Sequence, residues 1–381
     1  MSKICGIIAE YNPFHNGHAY QIEQARRISA ADAIVVVMSG NFVQRGEPAI
    51  VDKFVRTRAA LLGGADLVLE LPTAFATRSA EAFALGATYI LAKTGIVDSI
   101  CFGAETADIP ALQAIARHLV YESDSFKHIL KEGLSSGLSF PKSRALALIA
   151  SLGHEIPKTE EIISAPNNIL GIEYLKAIER YKLPLVPYAI SRKGAEHHSK
   201  NLEGSFASAS ALRREIHAGN LDLSAFMPAS SLALIKNEHI NGAINHIDHF
   251  STFLHYIATT NFIDAKLQKA AAENFLISDI VAQAKTKNIT HTALKRAALH
   301  SILQPTFHEL PKYIRILGFK KSHTQLVQKL HKNAALPVVS NLKYSQEIMQ
   351  EEINNTKLYW LGLKHKNIKP RCEFSSPMVK I

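Results

Sequence analysis

The first hundred or so residues alternate two kinds of pattern. Short, nearly unbroken apolar runs stand at ICGIIA (4–9), AIVVVM (33–38), DLVLEL (66–71) and SICFGA (99–104). Strands buried on both faces of a parallel sheet read this way, because neither face meets water. Helical spacing fills the gaps, at about 18–29, 53–64 and 77–93. Strand–helix–strand at these intervals predicts a doubly wound α/β core with right-handed crossovers. From about 108 to 153 the pattern is helical. PNNILGIEYLKAIERY (166–181) reads as a loop entering a helix, PLVPYAI (184–190) as a further strand, and FASASALRREI (206–216) as a helix after a Gly-Ser turn. Beyond about 235 the spacing is helical to the end, loosened near Pro337. At 381 residues the chain exceeds what one core usually supports. The expected boundary lies near FMPASS, giving an α/β unit over 1–230 and a mainly helical unit over 231–381.

Composition adds an address and a partner class. No apolar run approaches the ~18 residues that span a bilayer, and MSKICGIIAEYN turns polar too early for a signal peptide, so a cytoplasmic protein is expected. Cys5, Cys101 and Cys372 are too scattered for a disulfide framework or a thiolate zinc site. The net charge of +10 is unevenly placed. Residues 311–381 hold 13 Lys or Arg against 4 Asp or Glu, while the rest carries 30 against 29. A basic tail on a neutral body predicts contact with a polyanion, nucleic acid first. Lys320 with Lys321, and Lys364, Lys366, Lys369 and Arg371, form its two clusters. The plainer reading is a solvated lysine face.

Candidate chemistry begins after the first strand, at AEYNPFHNGHAY. Asn12-Pro13 stops the strand, Gly17 allows close backbone approach, and His18 is expected to open a helix. The unpaired N–H groups of such a helix start favour phosphate, and His15 and His18 can neutralise charge on a triphosphate. Later, Ser208-Ala209-Ser210-Ala211-Leu212-Arg213 offers hydroxyls, a helix start and a guanidinium, although alone it reads as a capped helix. The loop after the second strand is long, which often marks function. No cysteine or clear acidic ligand set accompanies His239, His246 and His249, so a solvated helix is expected there and no protein-held metal.

The HNGH segment resembles the H-x-G-H signature of the nucleotidyltransferase superfamily, and SASALR resembles its second signature. The resemblance implies a nucleotidyltransferase core in which Ser208, Ser210 and Arg213 face the β- and γ-phosphates opposite His15 and His18. AEYNPFHNGH, MSGNFVQRGEPA, GADLVLELP, FGAE, PNNILG and RILGF together are similar to the bacterial tRNA(Met) cytidine acetate ligases. That family uses ATP and acetate to acetylate N4 of the wobble cytidine of elongator tRNA(Met), through acetyl-adenylate. The resemblance implies ATP contacts from Ile7, Ile8, Ala9, Glu10, Tyr11, Asn12, Pro13, Phe14, His15, Asn16, Gly17, His18, Ala19 and Tyr20. It adds Gly103, one of Asn167 and Asn168, and Arg192. His15, His18 and Arg213 become the catalytic set, Mg²⁺ travels with the nucleotide, and the basic tail meets the tRNA. Gln44, Arg45 and Glu47 are expected on the acetate or cytidine side. A small-molecule adenylyltransferase and a catalytically silent RNA-binding protein are the competing readings.

Overall fold

The computed structural model describes residues 3–191, 206–287, 289–342, 345–364, 373–374 and 378–381. The apolar runs become strands β1 (Ile4–Ala9), β2 (Ala33–Ser39), β3 (Leu67–Leu71) and β4 (Ser99–Ala104), with β5 at Val186–Ser191. They form one sheet with β6 (Ile314–Phe319), β7 (Val338–Val339) and β8 (Val379–Lys380). The order is β8-β6-β3-β2-β1-β4-β5, with β7 beside β6. Strand order reverses at β1, so a crevice opens at its carboxyl end, where open α/β sheets bind ligands.

Alternation along the strands feeds two cores. Ile4, Ile8, Val35, Val37, Leu67 and Leu69 face α3 (Ala80–Lys93), α4 (Ile109–Val120) and α5 (Pro166–Tyr181). Cys5, Ile7, Ile34, Val36 and Val68 face α1 (Asn16–Ser29) and α2 (Lys53–Leu62). The predicted doubly wound core is therefore present, with both sheet faces covered. A third cluster joins Val51 and Val55 to α6 (Ala209–His217) and α7 (Ala229–Ile240).

The expectation of helix from 235 to the end holds to Leu303 and again at Thr324–Asn333 and Gln350–Leu361, but strands interrupt it. Helices Ser251–Thr260, Ala265–Ala271, Ile277–Ala284 and α8 (His291–Leu303) enclose Leu254, Leu267, Ile280 and Leu299. Phe42, from the loop after β2, reaches into this core 5.8 Å from Phe250 and 5.9 Å from Tyr359 of α9 (Gln350–Leu361). The chain then returns to the sheet as β6, buried throughout and antiparallel to β3, with Leu67 opposite Phe319 and Glu70 opposite Arg315. Arg315 hid this strand from a hydropathy reading. Its charge is answered by the Glu373 carboxylate at 2.8 Å.

That pair belongs to a buried ionic cluster. The Lys53 ammonium lies 2.6 Å from Glu70 and also meets Glu373. Glu352 accepts the Thr73 N–H at 2.6 Å and its hydroxyl at 2.7 Å. Three carboxylates share two cations here. Burial, and then Glu70, push the Glu352 carboxyl up to about 8 despite Lys53. No helix among the described residues is long and apolar enough to cross a membrane.

Candidate active site

The carboxyl ends of β1, β4 and β5 open on a cavity of about 410 Å³. At the end of β1, Tyr11 adopts a left-handed backbone (φ 48°) and the Asn12–Pro13 peptide is cis. Asn12 Oδ1 accepts the Ile50 N–H at 2.8 Å, fastening the turn to the loop after β2. His15 is the cap of α1, which begins at Asn16, earlier than the sequence suggests. Its Nδ1 accepts the Gly17 N–H at 3.1 Å, and His18 Nδ1 accepts the His15 N–H at 3.3 Å. Each neutral imidazole therefore carries its proton on Nε2. The rings stack with centroids 3.7 Å apart. Gly17 makes room for this, since a Cβ there would come within 2.9 Å of the His15 ring.

This box overturns one expectation. The first N–H groups of α1 were to be open for phosphate, but the protein occupies them. Asn16 donates to Phe226 O and His18 to His15 O, both at 2.9 Å, and Gly17 to the imidazole. What α1 offers an anion is its dipole and two imidazoles.

The open helix start is that of α6, across the cavity. Ser208 caps it, accepting the Ala211 N–H at 3.1 Å. The N–H groups of Ala209 and Ser210 have no partner among the described residues, and both residues line the cavity. Arg213 Nη1 donates to Asn12 O at 2.8 Å, while Nη2 lies 3.0 Å from Glu47. Glu47 also holds Lys295 of α8 at 3.0 Å. Burial opposes the Glu47 charge, but Arg213 and Lys295 outweigh it and keep the carboxyl below its usual range. Glu47 thus stands behind Arg213 and does not line the cavity, whereas Gln44 and Arg45 do.

Gly103 of β4 lines the cavity as well. Asn167 and Asn168 lie in the first turn of α5, whose start is closed by Glu105, accepting their N–H groups at 3.1 and 3.0 Å. Asn167 reaches the cavity. Asn168 is buried behind it, accepting the Thr106 N–H at 3.0 Å. Ile8, Ala9, Glu10, Tyr11, Asn12 and Tyr20 also line the space. Ile7 and Phe14 point into the α1–α2 core, joined at its margin by Ala19, and Pro13 is buried. The Asn16 side chain donates to Ala225 O at 2.9 Å. Arg192 falls outside the described residues. Sequence reasoning missed the apolar wall of Phe83, Ile169, Leu170, Tyr174 and Phe206, which looks like ordinary core until the cavity is seen.

The basic clusters are far from equivalent. β6 runs against β3, so Lys320 and Lys321 emerge at the amino edge of the sheet, opposite the cavity. Lys320 lies 3.1 Å from Asp66, and Lys321 is exposed. Lys364 follows α9, exposed and close enough to depress the His249 imidazole, after burial and His246. Lys366, Lys369 and Arg371 fall outside the described residues.

A Rossmann-type sheet carrying this histidine pair at its switch point defines the HIGH nucleotidyltransferase class. A family model described as HIGH Nucleotidyl Transferase matches residues 2–372. The tRNA(Met) cytidine acetate ligase of Caldanaerobacter subterraneus subsp. tengcongensis is 37% identical, over 99% of each chain. That of Acetivibrio thermocellus is 40% identical, over 89% of this chain and 88% of its own. With such likeness along its whole length, the chain belongs to the tRNA(Met) cytidine acetate ligase family. Among solved structures, Thermotoga maritima TmcAL bound with alpha-thio ATP superposes with a TM-score of 0.89 at 30% identity, over 100% of this chain and 99% of that one. The apo form of the same protein gives 0.92 at the same identity and coverage.

Proposed function

We propose that this protein activates acetate with ATP as acetyl-adenylate and transfers the acetyl group to N4 of the wobble cytidine of elongator tRNA(Met), releasing AMP and diphosphate. The observation that carries the reading is the meeting, over one cavity, of two stacked imidazoles with an open helix start and Arg213. Acetate is itself a nucleophile, so activation needs alignment and charge neutralisation rather than a base. His15 and His18 supply Nε2–H donors on one side. Ser208, Ser210, the α6 amides and Arg213 suit the β- and γ-phosphates on the other. Apart from Glu10, the polar groups of the described lining are neutral or cationic, which fits a triphosphate bringing its own Mg²⁺. That ion would share the neutralisation of the leaving diphosphate.

We assign nucleotide chemistry to residues 1–230, which supply every phosphate-facing group named here, and tRNA contacts chiefly to 231–381. Within the latter, we assign them to the run Lys364, Lys366, Lys369 and Arg371, of which Lys364, the described member, is exposed after α9. The test is ATP–pyrophosphate exchange with purified protein. Exchange should depend on acetate and proceed without tRNA. Exchange driven instead by phosphorylated cofactor precursors would transfer the protein to the small-molecule adenylyltransferases.

A further inference from the structure

Among the described residues lining the cavity, Glu10 is the one carboxylate. A negative charge beside acetate and a triphosphate repels both, so it burdens the activation step. The fold nevertheless holds it firmly. Its carbonyl accepts Arg56 Nη1 at 2.6 Å, and Arg56 is itself buried and spread over the carbonyls of Ser39, Gly40 and Val51. Glu10 Oε1 accepts the Gln44 N–H at 2.8 Å. Oε2 has no hydrogen-bond partner among the described residues. One oxygen is thus pinned to the loop that brings Gln44 and Arg45 to the cavity, and the other remains as an acceptor.

Deepening the function proposed above, and resting on it, we propose that Glu10 is the general base of the transfer step, accepting the proton of the cytidine N4 amine. The lone pair of that amine is delocalised into the ring, so it becomes a competent nucleophile only as its proton leaves. In this step N4 forms a bond to the acetyl carbonyl carbon. The bond from that carbon to the AMP oxygen breaks, AMP departs with the electron pair, and the N4 proton goes to Glu10.

The groups around Glu10 fit this task. Arg213, Arg45 and Arg56 face it as cations, Glu47 as an anion, and Tyr174 of α5 stands alongside. Burial dominates and raises its carboxyl, against the lowering by the Gln44 amide, Arg213 and Arg45. A carboxylate raised in this way is a stronger base nearer working pH.

The test supplies synthetic acetyl-adenylate and tRNA to the full chain and follows acetyl transfer in a single turnover across pH. Wild type should show a rate that climbs with pH and levels off as Glu10 ionises. Glu10→Gln should fall by ~10²-fold or more and lose that limb, and Glu10→Asp should recover part of the rate with the limb restored. A Glu10→Gln rate within about threefold of wild type, with the same pH profile, would overturn the assignment. So would a wild-type profile without an acid limb, which needs no variant to fold. Failure of wild type to acetylate tRNA from acetyl-adenylate would instead strike the proposed function itself.

Discussion

His15-Asn16-Gly17-His18 and His246-Ile247-Asp248-His249 fold into the same capping box. In each, the first imidazole accepts the N–H of the third residue, at 3.1 and 3.3 Å, and the fourth accepts the N–H of the first, at 3.3 Å in both. Their surroundings diverge. The first pair stacks at 3.7 Å at the end of a buried strand, against a cavity with Arg213 opposite. The second pair stands 6.1 Å apart on the helical unit. Where the first box has Gly17, the second has Asp248, whose carboxylate accepts the Ser278 N–H at 2.7 Å and its hydroxyl at 2.9 Å. A histidine cap is thus one ordinary way to begin a helix. The chemistry comes from the sheet that aims it and from what faces it.

Mutation should separate the two boxes. His18→Ala is expected to lower acetate-dependent exchange by ~10²-fold or more, because it removes transition-state charge stabilisation. His249→Ala, with the same cap lost, should stay within about twofold. Equal losses in the two folded variants would erase the distinction. A finer probe is Gly17→Ala, whose Cβ would press on the His15 ring and part the stack. Its exchange should drop ~10-fold, corresponding to about 1.4 kcal/mol of transition-state stabilisation. An unchanged rate would show that stacking is incidental.

Two exposed lysines extend the comparison, since Lys321 lies at the amino edge of the sheet and Lys364 follows α9. Neutralising Lys364, Lys366, Lys369 and Arg371 should flatten the salt dependence of tRNA binding by ~0.7–0.9 per lost phosphate contact on a log–log plot. Neutralising Lys321 alone, at the far edge of the sheet, should leave the slope where it was. The reverse pattern would move the tRNA across the molecule. The smallest effect concerns stability. The native Glu352 carboxyl, raised to about 8 from 4.5, keeps its proton where the unfolded chain has lost it. Stability from this group therefore declines as pH climbs through that window. Glu352→Gln keeps an acceptor for the Thr73 N–H, can donate its amide N–H to the Thr73 hydroxyl oxygen, and should melt roughly 2–4 °C above wild type at about pH 9, the gap closing by about pH 5. A pH-independent difference in melting temperature would count against the raised carboxyl.

Much of this site is legible in sequence because it is local. A strand ending at Ala9, a Pro turn and the histidine pair at a helix start follow within one short stretch, and SASALR announces its own helix start. What escaped depends on distant partners. α1 has a closed start because Phe226 O takes the Asn16 N–H, which nothing near residue 16 foretells. Lys53 and Arg56 look like the wet face of α2, yet both are buried, one by carboxylates and one by carbonyls. The Glu47 carboxylate is held by Arg213 and by Lys295, the latter 248 positions away. β6 hides because its arginine makes sense only beside Glu373.

The return of β6 to the sheet also bears on how the protein is made. A nascent chain that has left the ribosome through about residue 310 already holds every phosphate-facing group named above. It lacks the strand that covers β3, and Lys53 and Glu70 still await Arg315 and Glu373. An uncovered strand edge beside an incomplete buried ionic cluster invites chaperone capture or proteolysis.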